Sequence, residues 1–251
     1  MSASLVAVGA AIFLGSFVSG IFNMAGGMIL LGVLLVFFDV STSMILFSLL
    51  STAGNAWRVV TWWKHINWTI WFQYTIGAFV ALFVLSFIAF LPSKALVYFL
   101  LGLLPWLIEL MPRNWHPNIQ WRGVPIFTGL TTTAIQLMAG NGGMFMDIFF
   151  QKSEIGRHQT IATKSFCQTV GNLMRIFYFG TLAGIEDAVP LWFFIPAAAL
   201  AIAGTMAAPL VVNRMTDHSF RQWTRKLIFF VSTVYLLRAA WLYWGQWAAG
   251  T

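Results

Sequence analysis

The sequence predicts an all-α integral membrane protein made of two inverted repeats, each a glycine-broken helical hairpin followed by three transmembrane helices. Composition points there first: of 251 residues, 59% are apolar and only 8% charged, whereas soluble domains carry about a quarter charged residues. Mean hydropathy is +0.81. Pattern points the same way, because the apolar residues form continuous runs, and runs near twenty residues match a bilayer core of about 30 Å at about 1.5 Å per residue. A barrel would instead alternate apolar and polar residues in segments of about ten. The third observation is that the chain states one stretch twice.

Leu14 to Met28 reads LGSFVSGIFNMAGGM, and 114 to 116 residues later Thr128 to Met144 reads TGLTTTAIQLMAGNGGM. A second echo follows each, Thr52-Ala-Gly-Asn-Ala-Trp-Arg58 against Thr169-Val-Gly-Asn-Leu-Met-Arg175, of the form T-x-G-N-x-x-R at an offset of 117. Two motifs in the same order indicate a duplication. Unwound backbone at membrane depth is tolerated only where protein or a water-filled cavity satisfies it, which is how two-repeat transporters use broken helices.

In chain order, the first repeat spans 1–110. Its hairpin, 5–38, breaks at Asn23 to Gly27; the helix 43–63 carries the T-x-G-N-x-x-R motif; 68–91 and 94–110 are long apolar runs. A cytoplasmic linker, 111–124, is the longest polar link and holds Arg113, His116 and Arg122. The second repeat, 125–251, has its hairpin at 125–151 with a break at Gly140 to Gly143, then helices at 159–182, 190–212 and 226–247. No basic segment precedes the first run and no small-residue cleavage site follows it, so a removable signal peptide is not expected.

Loop charge decides whether each broken stretch crosses or turns back. A single crossing divides the loop cations three to seven. A hairpin puts Lys64, Arg113, Arg122, Lys152, Arg157, Arg214, Arg221, Arg225 and Lys226 on one side and Lys94 alone on the other, nine to one. The positive-inside rule selects the hairpin. The expected protein is then a multi-pass protein of the inner (plasma) membrane with both termini outside and all four histidines in cytoplasmic loops. Three full crossings per half, an odd number, invert one repeat relative to the other. The net charge of +7 is explained by these loops, so nucleic acid is not an expected partner.

The candidate chemistry lies on the hairpins and on the helices after them. Lys164, Gln168, Asn172 and Arg175 fall at i, i+4, i+8 and i+11, one face of one helix. The equivalent stripe in the first half is Ser48, Ser51, Thr52, Asn55 and Arg58. An arginine at the bilayer centre costs about 2.5–3.5 kcal/mol on translocon scales, so it pairs, faces a cavity or snorkels to a headgroup layer. The breaks, with Gly26 and Gly27 in one half and Gly140, Gly142 and Gly143 in the other, leave N–H groups at the start of a helical arm, where the dipole favours negative charge. With Asn23, Gln136 and Asn141 as neutral donors, they make a candidate oxyanion cradle; the competing reading is close helix packing. Asp147, alone among carboxylates well inside an apolar run, either neutralises Lys164 or Arg175 or carries a coupling proton. The one cysteine, Cys167, excludes a disulfide framework and reads as a packing residue. Most of the thirteen Trp sit near span ends, as interfacial belts do.

The order G-x-x-x-x-G…G-G near the N-terminus, its recurrence in mid-chain and the G-N-x-x-R echo resemble the TauE/SafE sulfite exporter family, also called the toluene sulfonate uptake permeases. The resemblance implies a carrier, working without ATP, for small sulfur-containing anions such as sulfite, sulfoacetate or taurine-related sulfonates. The expected function is therefore secondary transport of a small anion by alternating access, the anion and the lipid bilayer being the partners and a homodimer compatible with the sequence. No cofactor or metal is expected. An anion channel or a carrier for a non-sulfur organic anion is the alternative. An intramembrane enzyme is disfavoured by the absence of G-x-S-x-G and H-E-x-x-H motifs.

Overall fold

The computed structural model describes residues 2–22, 24–112, 117–150, 153–183, 191–212 and 217–249. Its helices are α1 (Ser2–Phe22), α2 (Met24–Phe37), α3 (Val40–Trp62), α4 (Trp68–Ile88), α5 (Lys94–Leu110), α6 (Val124–Ala139), α7 (Gly143–Phe150), α8 (Arg157–Ala183), α9 (Leu191–Ala207), α10 (Pro209–Val212) and α11 (Asp217–Ala249), with a 3₁₀ turn at Trp63–His65. No strand occurs among the described residues. The run read as one helix over 190–212 is two: Pro209 disfavours helix at the residue before it and so separates α9 from α10. The last helix starts at Asp217, nine residues ahead of the apolar run, which hydropathy does not reveal because its first turns are polar. His158 and His218 accordingly lie in the first turns of α8 and α11 and not in loops.

Local chemistry sets the ends. Asp39 Oδ2 accepts the Thr42 N–H at 3.1 Å and Asn67 Oδ1 accepts the Ile70 N–H at 3.2 Å, so each caps a helix whose first N–H groups have no intrahelical partner. Gly123, left-handed at φ 81°, turns the chain into α6, where Pro125 fills a first-turn position that needs no N–H.

The chain forms two compact units, one of Met1–Phe47, Pro92–Leu110 and Ile185–Thr251, the other of Ser48–Leu91 and Met111–Gly184. Neither unit is one of the sequence halves. In the first unit the α1–α2 pair is a tight antiparallel hairpin: a Cβ at Gly26 would overlap the Ser19 backbone, and one at Gly15 would lie 2.9 Å from Leu30 Cδ1. The break in this hairpin is shorter than the sequence suggests, since helix resumes at Met24. Gly26 is therefore a helical close-approach residue, and Asn23 lies outside the described residues. Helix α1 also runs alongside α9, where a Cβ at Gly204 would lie 2.5 Å from the Phe13 carbonyl oxygen. Helices α5 and α11 are antiparallel, with Trp106 on Phe229 and Tyr98 on Tyr235. Both tyrosines clamp α2, Tyr235 donating to the Met28 carbonyl at 2.8 Å and Tyr98 to that of Gly32 at 3.4 Å.

In the second unit α4 crosses α6 backbone to backbone, Gly77 against the Ile126 carbonyl and Gly129 against that of Tyr74. Helix α8 runs parallel to α4: Asn67 N–H donates to Thr163 Oγ1 near one end at 2.9 Å, Trp71 stacks on Phe166 at 4.6 Å, and Tyr178 donates to the Leu85 carbonyl near the other at 3.3 Å. The two ends of the second glycine-broken stretch meet. Ile119 N–H donates to the Phe149 carbonyl at 3.0 Å and Glu154 N–H to Gln120 Oε1 at 2.9 Å, so the chain leaves α7 beside the point from which it enters α6.

Helix α4 is amphipathic in reverse. Phe72, Ile76, Phe79, Phe83 and Phe87 form its exposed stripe, reaching 73% and 86% exposure at Phe83 and Phe87, while its buried stripe is Tyr74, Gly77, Ala78 and Ala81. A face more apolar outside than inside suits lipid and not water. Among the described residues, Trp68–Ile88 and Gln222–Gly245 are long and apolar enough to cross a membrane.

Candidate functional site at the second glycine break

The polar stripe of α8 faces the α6–α7 hairpin along its length. Gly143 and Asp147 of α7 meet Gln168 and Lys164 of α8 in antiparallel order: a Cβ on Gly143 would lie 2.8 Å from Gln168 Nε2, and Lys164 forms an ion pair with Asp147. That pair is about one-fifth exposed on each side, and it gives the Asp147 carboxylate a definite cation.

Further along α8, Gly171 supplies room and Asn172 supplies an acceptor. A Cβ at Gly171 would run into the Gln136 amide, whose Nε2 donates to Asn172 Oδ1 at 3.1 Å. The Gly-Asn pair of the echoed motif thus admits a polar side chain from α6 and then satisfies it. Three residues on, Arg175 has no exposed surface. Its Nε donates to Ser48 Oγ of α3 at 2.5 Å, one Nη to the Gly140 carbonyl and the other to Asn172 Oδ1 at 3.1 Å.

Gly140 ends α6 with φ 79°, a left-handed conformation that glycine adopts at no steric cost. The terminal carbonyls of a helix carry its negative dipole end, so a guanidinium on Gly140 is both hydrogen-bonded and electrostatically favoured. This replaces the snorkelling reading of Arg175: the side chain turns inward, to the break. The rest of the break is held locally. Asn141 Oδ1 accepts the Gly143 N–H at 3.2 Å, and a Cβ at Gly142 would lie 2.5 Å from the Thr132 carbonyl.

The first-half stripe is placed differently. Thr52, Asn55 and Arg58 lie on α3, with Asn55 buried and Arg58 half-buried, but a Cβ at Gly54 would meet no atom within 4 Å. Gly26 and Gly27 are buried in the first turn of α2, in the other unit. The structure therefore brings Gln136, Gly140, Asn141, Gly142, Gly143, Asp147, Lys164, Gln168, Asn172 and Arg175 together. Two residues join them that spacing alone did not single out in this role: Ser48, as an Arg175 partner, and Thr132, whose buried hydroxyl has no hydrogen-bond partner. The Thr131-Thr132-Thr133 run in an otherwise apolar helix was the available signal. Cys167 is fully buried.

Outward-facing apolar stripes and a broken helix beside a buried cation are features of a polytopic membrane protein. A family model described as sulfite exporter TauE/SafE matches residues 8–236, nearly the whole chain, and the chain belongs to that family of membrane transporters. No curated protein and no solved structure matches it.

Proposed function

We propose that the protein is a secondary transporter that moves a small anion, a sulfur oxyanion or organosulfonate, across the inner membrane by alternating access, with the second glycine break as part of the anion path. The observation that carries this reading is a break rich in donors and positive charge: a fully buried Arg175, the start of α7, and the buried Asn172 Nδ2 and Thr132 hydroxyl, which have no hydrogen-bond partner. Buried donors are almost always paired in folded proteins, and an anion with several acceptor oxygens is a suitable partner for such a set. Arg175 spends Nε and both Nη groups on protein acceptors, so it acts by its charge and by holding the break in shape, and the contacts to the anion come from Asn172, Thr132 and the α7 N-terminus.

Two sequence repeats, 1–110 and 125–251, inverted about an axis in the membrane plane, account for the hairpins. In support, the first half's α1 packs on the second half's α9 in one unit, and the second half's α6 packs on the first half's α4 in the other. Exchange of that kind suits two repeats folded through each other.

The test is transport by the full chain in proteoliposomes. Uptake of radiolabelled sulfite should saturate, accelerate when unlabelled sulfite is trapped inside, and be competed by sulfoacetate or taurine. Flux that neither saturates nor shows counterflow would make the protein a channel, and competition by carboxylates alone would move the substrate outside the sulfur anions.

A further inference from the structure

Away from the break, the second unit carries a second cluster of cations. The 3₁₀ turn after α3 brings Lys64 and His65 to the start of α8, where Arg157, His158 and Gln159 follow Gly156, and these residues line an open cavity of about 310 Å³. The cluster is built and not merely adjacent. Asn67 locks the turn by capping α4 and donating its own N–H to Thr163 of α8. Trp62 stacks on the His158 ring at 4.2 Å between centroids, and the His65 ring lies 5.6 Å from that of His158. Among the described residues no carboxylate lines the cavity, and the positive end of the α8 dipole opens there.

We infer that this cavity is a peripheral oxyanion site that takes a tetrahedral sulfo or phosphate group through Lys64, Arg157 and the imidazole N–H groups of His65 and His158. Two exposed cations, two ring donors and a helix start make a site for an anion with several acceptor oxygens, and Trp62 holds one imidazole in place. Occupancy of this cavity is independent of what the glycine break binds.

Its position also gives it a use. Arg157, Lys164, Gln168 and Arg175 fall at i, i+7, i+11 and i+18, which keeps them on one side of a helix with 3.6 residues per turn. The cavity thus stands at the foot of the stripe that leads to the break, with steps of roughly 10 Å and 16 Å between the three cations at about 1.5 Å per residue. It lies at the end of the unit where the α6–α7 hairpin opens, since Glu154, two residues before Gly156, is bonded to Gln120. An anion docked here is held where it would enter or leave.

The same chemistry is offered by a free oxyanion and by a lipid phosphate, and the experiment separates them. The full chain is placed in neutral phosphatidylcholine nanodiscs and titrated with inorganic sulfate by calorimetry, alongside Lys64→Gln/Arg157→Gln, the conservative Lys64→Arg/Arg157→Lys, and Arg175→Gln. The glutamine pair should weaken sulfate binding at this site at least tenfold, and the conservative pair should keep it. Arg175→Gln should leave this component in place, and ligand-free melts of both double variants should match wild type. Adding phosphatidylglycerol to the discs should weaken sulfate binding in wild type and not in the glutamine pair if a headgroup occupies the cavity, and should change neither if the occupant is the free ion. Sulfate binding by the glutamine pair equal to wild type, with no response to phosphatidylglycerol in either, would overturn the site.

Discussion

Gly54 and Gly171 occupy the same place in the echoed motif, so a sequence argument alone would expect alanine at the two to behave alike. Their surroundings predict opposite signs. At Gly171 the new methyl lands on the Gln136 amide, with Cδ at 3.1 Å. Because that amide ends a flexible side chain, it can rotate away at little steric cost, and what is lost is the Gln136–Asn172 hydrogen bond at 3.1 Å. Leaving a buried amide unpaired costs about 1–3 kcal/mol, which for a chain of this size corresponds to a fall in Tm of roughly 2–12 °C. At Gly54 the methyl meets nothing within 4 Å, and replacing a helical glycine by alanine stabilises by about 0.5–1 kcal/mol. Thermal unfolding in one detergent, followed by circular dichroism, compares the two. The double variant Gly171→Ala/Gln136→Ala separates the amide from the backbone: the two losses should couple, the pair costing less than their sum by about 1 kcal/mol. A Gly171→Ala protein that melts with wild type, or a Gly54→Ala protein that loses as much as Gly171→Ala, would refute the account of the motif.

The meeting of the hairpin ends predicts that single cysteines at Asn118 and Ser153 label from one face of the membrane and one at Leu91 from the other; labelling of Asn118 and Ser153 from opposite faces would remove the hairpin. Asp147→Asn strands Lys164 and should cost about 1–3 kcal/mol, whereas Asp147→Asn/Lys164→Gln should recover most of that loss; a melt in which the double variant is no better than the single one would show that the loss does not come from a stranded lysine charge. At Gly140, held at φ 79°, alanine should cost about 1 kcal/mol or more and asparagine less, because asparagine tolerates the left-handed region; equal losses would point to crowding instead of backbone strain.

Helical periodicity makes the α8 stripe legible in the sequence, because four polar residues at i, i+4, i+8 and i+11 in an apolar segment have one face to share. Asp147 stands out for a simpler reason, the scarcity of carboxylates at depth, but that its partner is Lys164 and not Arg175 is seen only in the structure. Which glycine does what is not legible there. Gly140, Gly142 and Gly143 are neighbours in one motif, yet one ends a helix in the left-handed region, one rests on the Thr132 carbonyl and one makes room for Gln168. Those differences are set by α8 and by how the two arms of the hairpin fold against each other. The cationic cavity is hidden in the same way. Lys64-His65 and Arg157-His158 are two ordinary basic pairs until Asn67 and Thr163 join the turn after α3 to the start of α8.

The chain carries T-x-G-N-x-x-R twice, and the two copies sit in unlike surroundings. Arg175 is fully buried, with Nε and both Nη groups on protein oxygens; Arg58 is half-buried, beside a glycine whose missing methyl no atom fills. A guanidinium grips an oxyanion best when two parallel N–H groups are free to fork onto it, and Arg175 has committed that fork to Gly140 and its neighbours. Under the proposed function the division of labour is a fixed cation on α8, which sets the potential and the shape of the break, and a less enclosed one on α3. Transport needs binding that is favourable enough to capture the anion yet weak enough to release it. An arginine tied to the backbone contributes attraction without a direct bond that must be broken at each cycle, which is a physical reason for the second copy to be buried while the first is not.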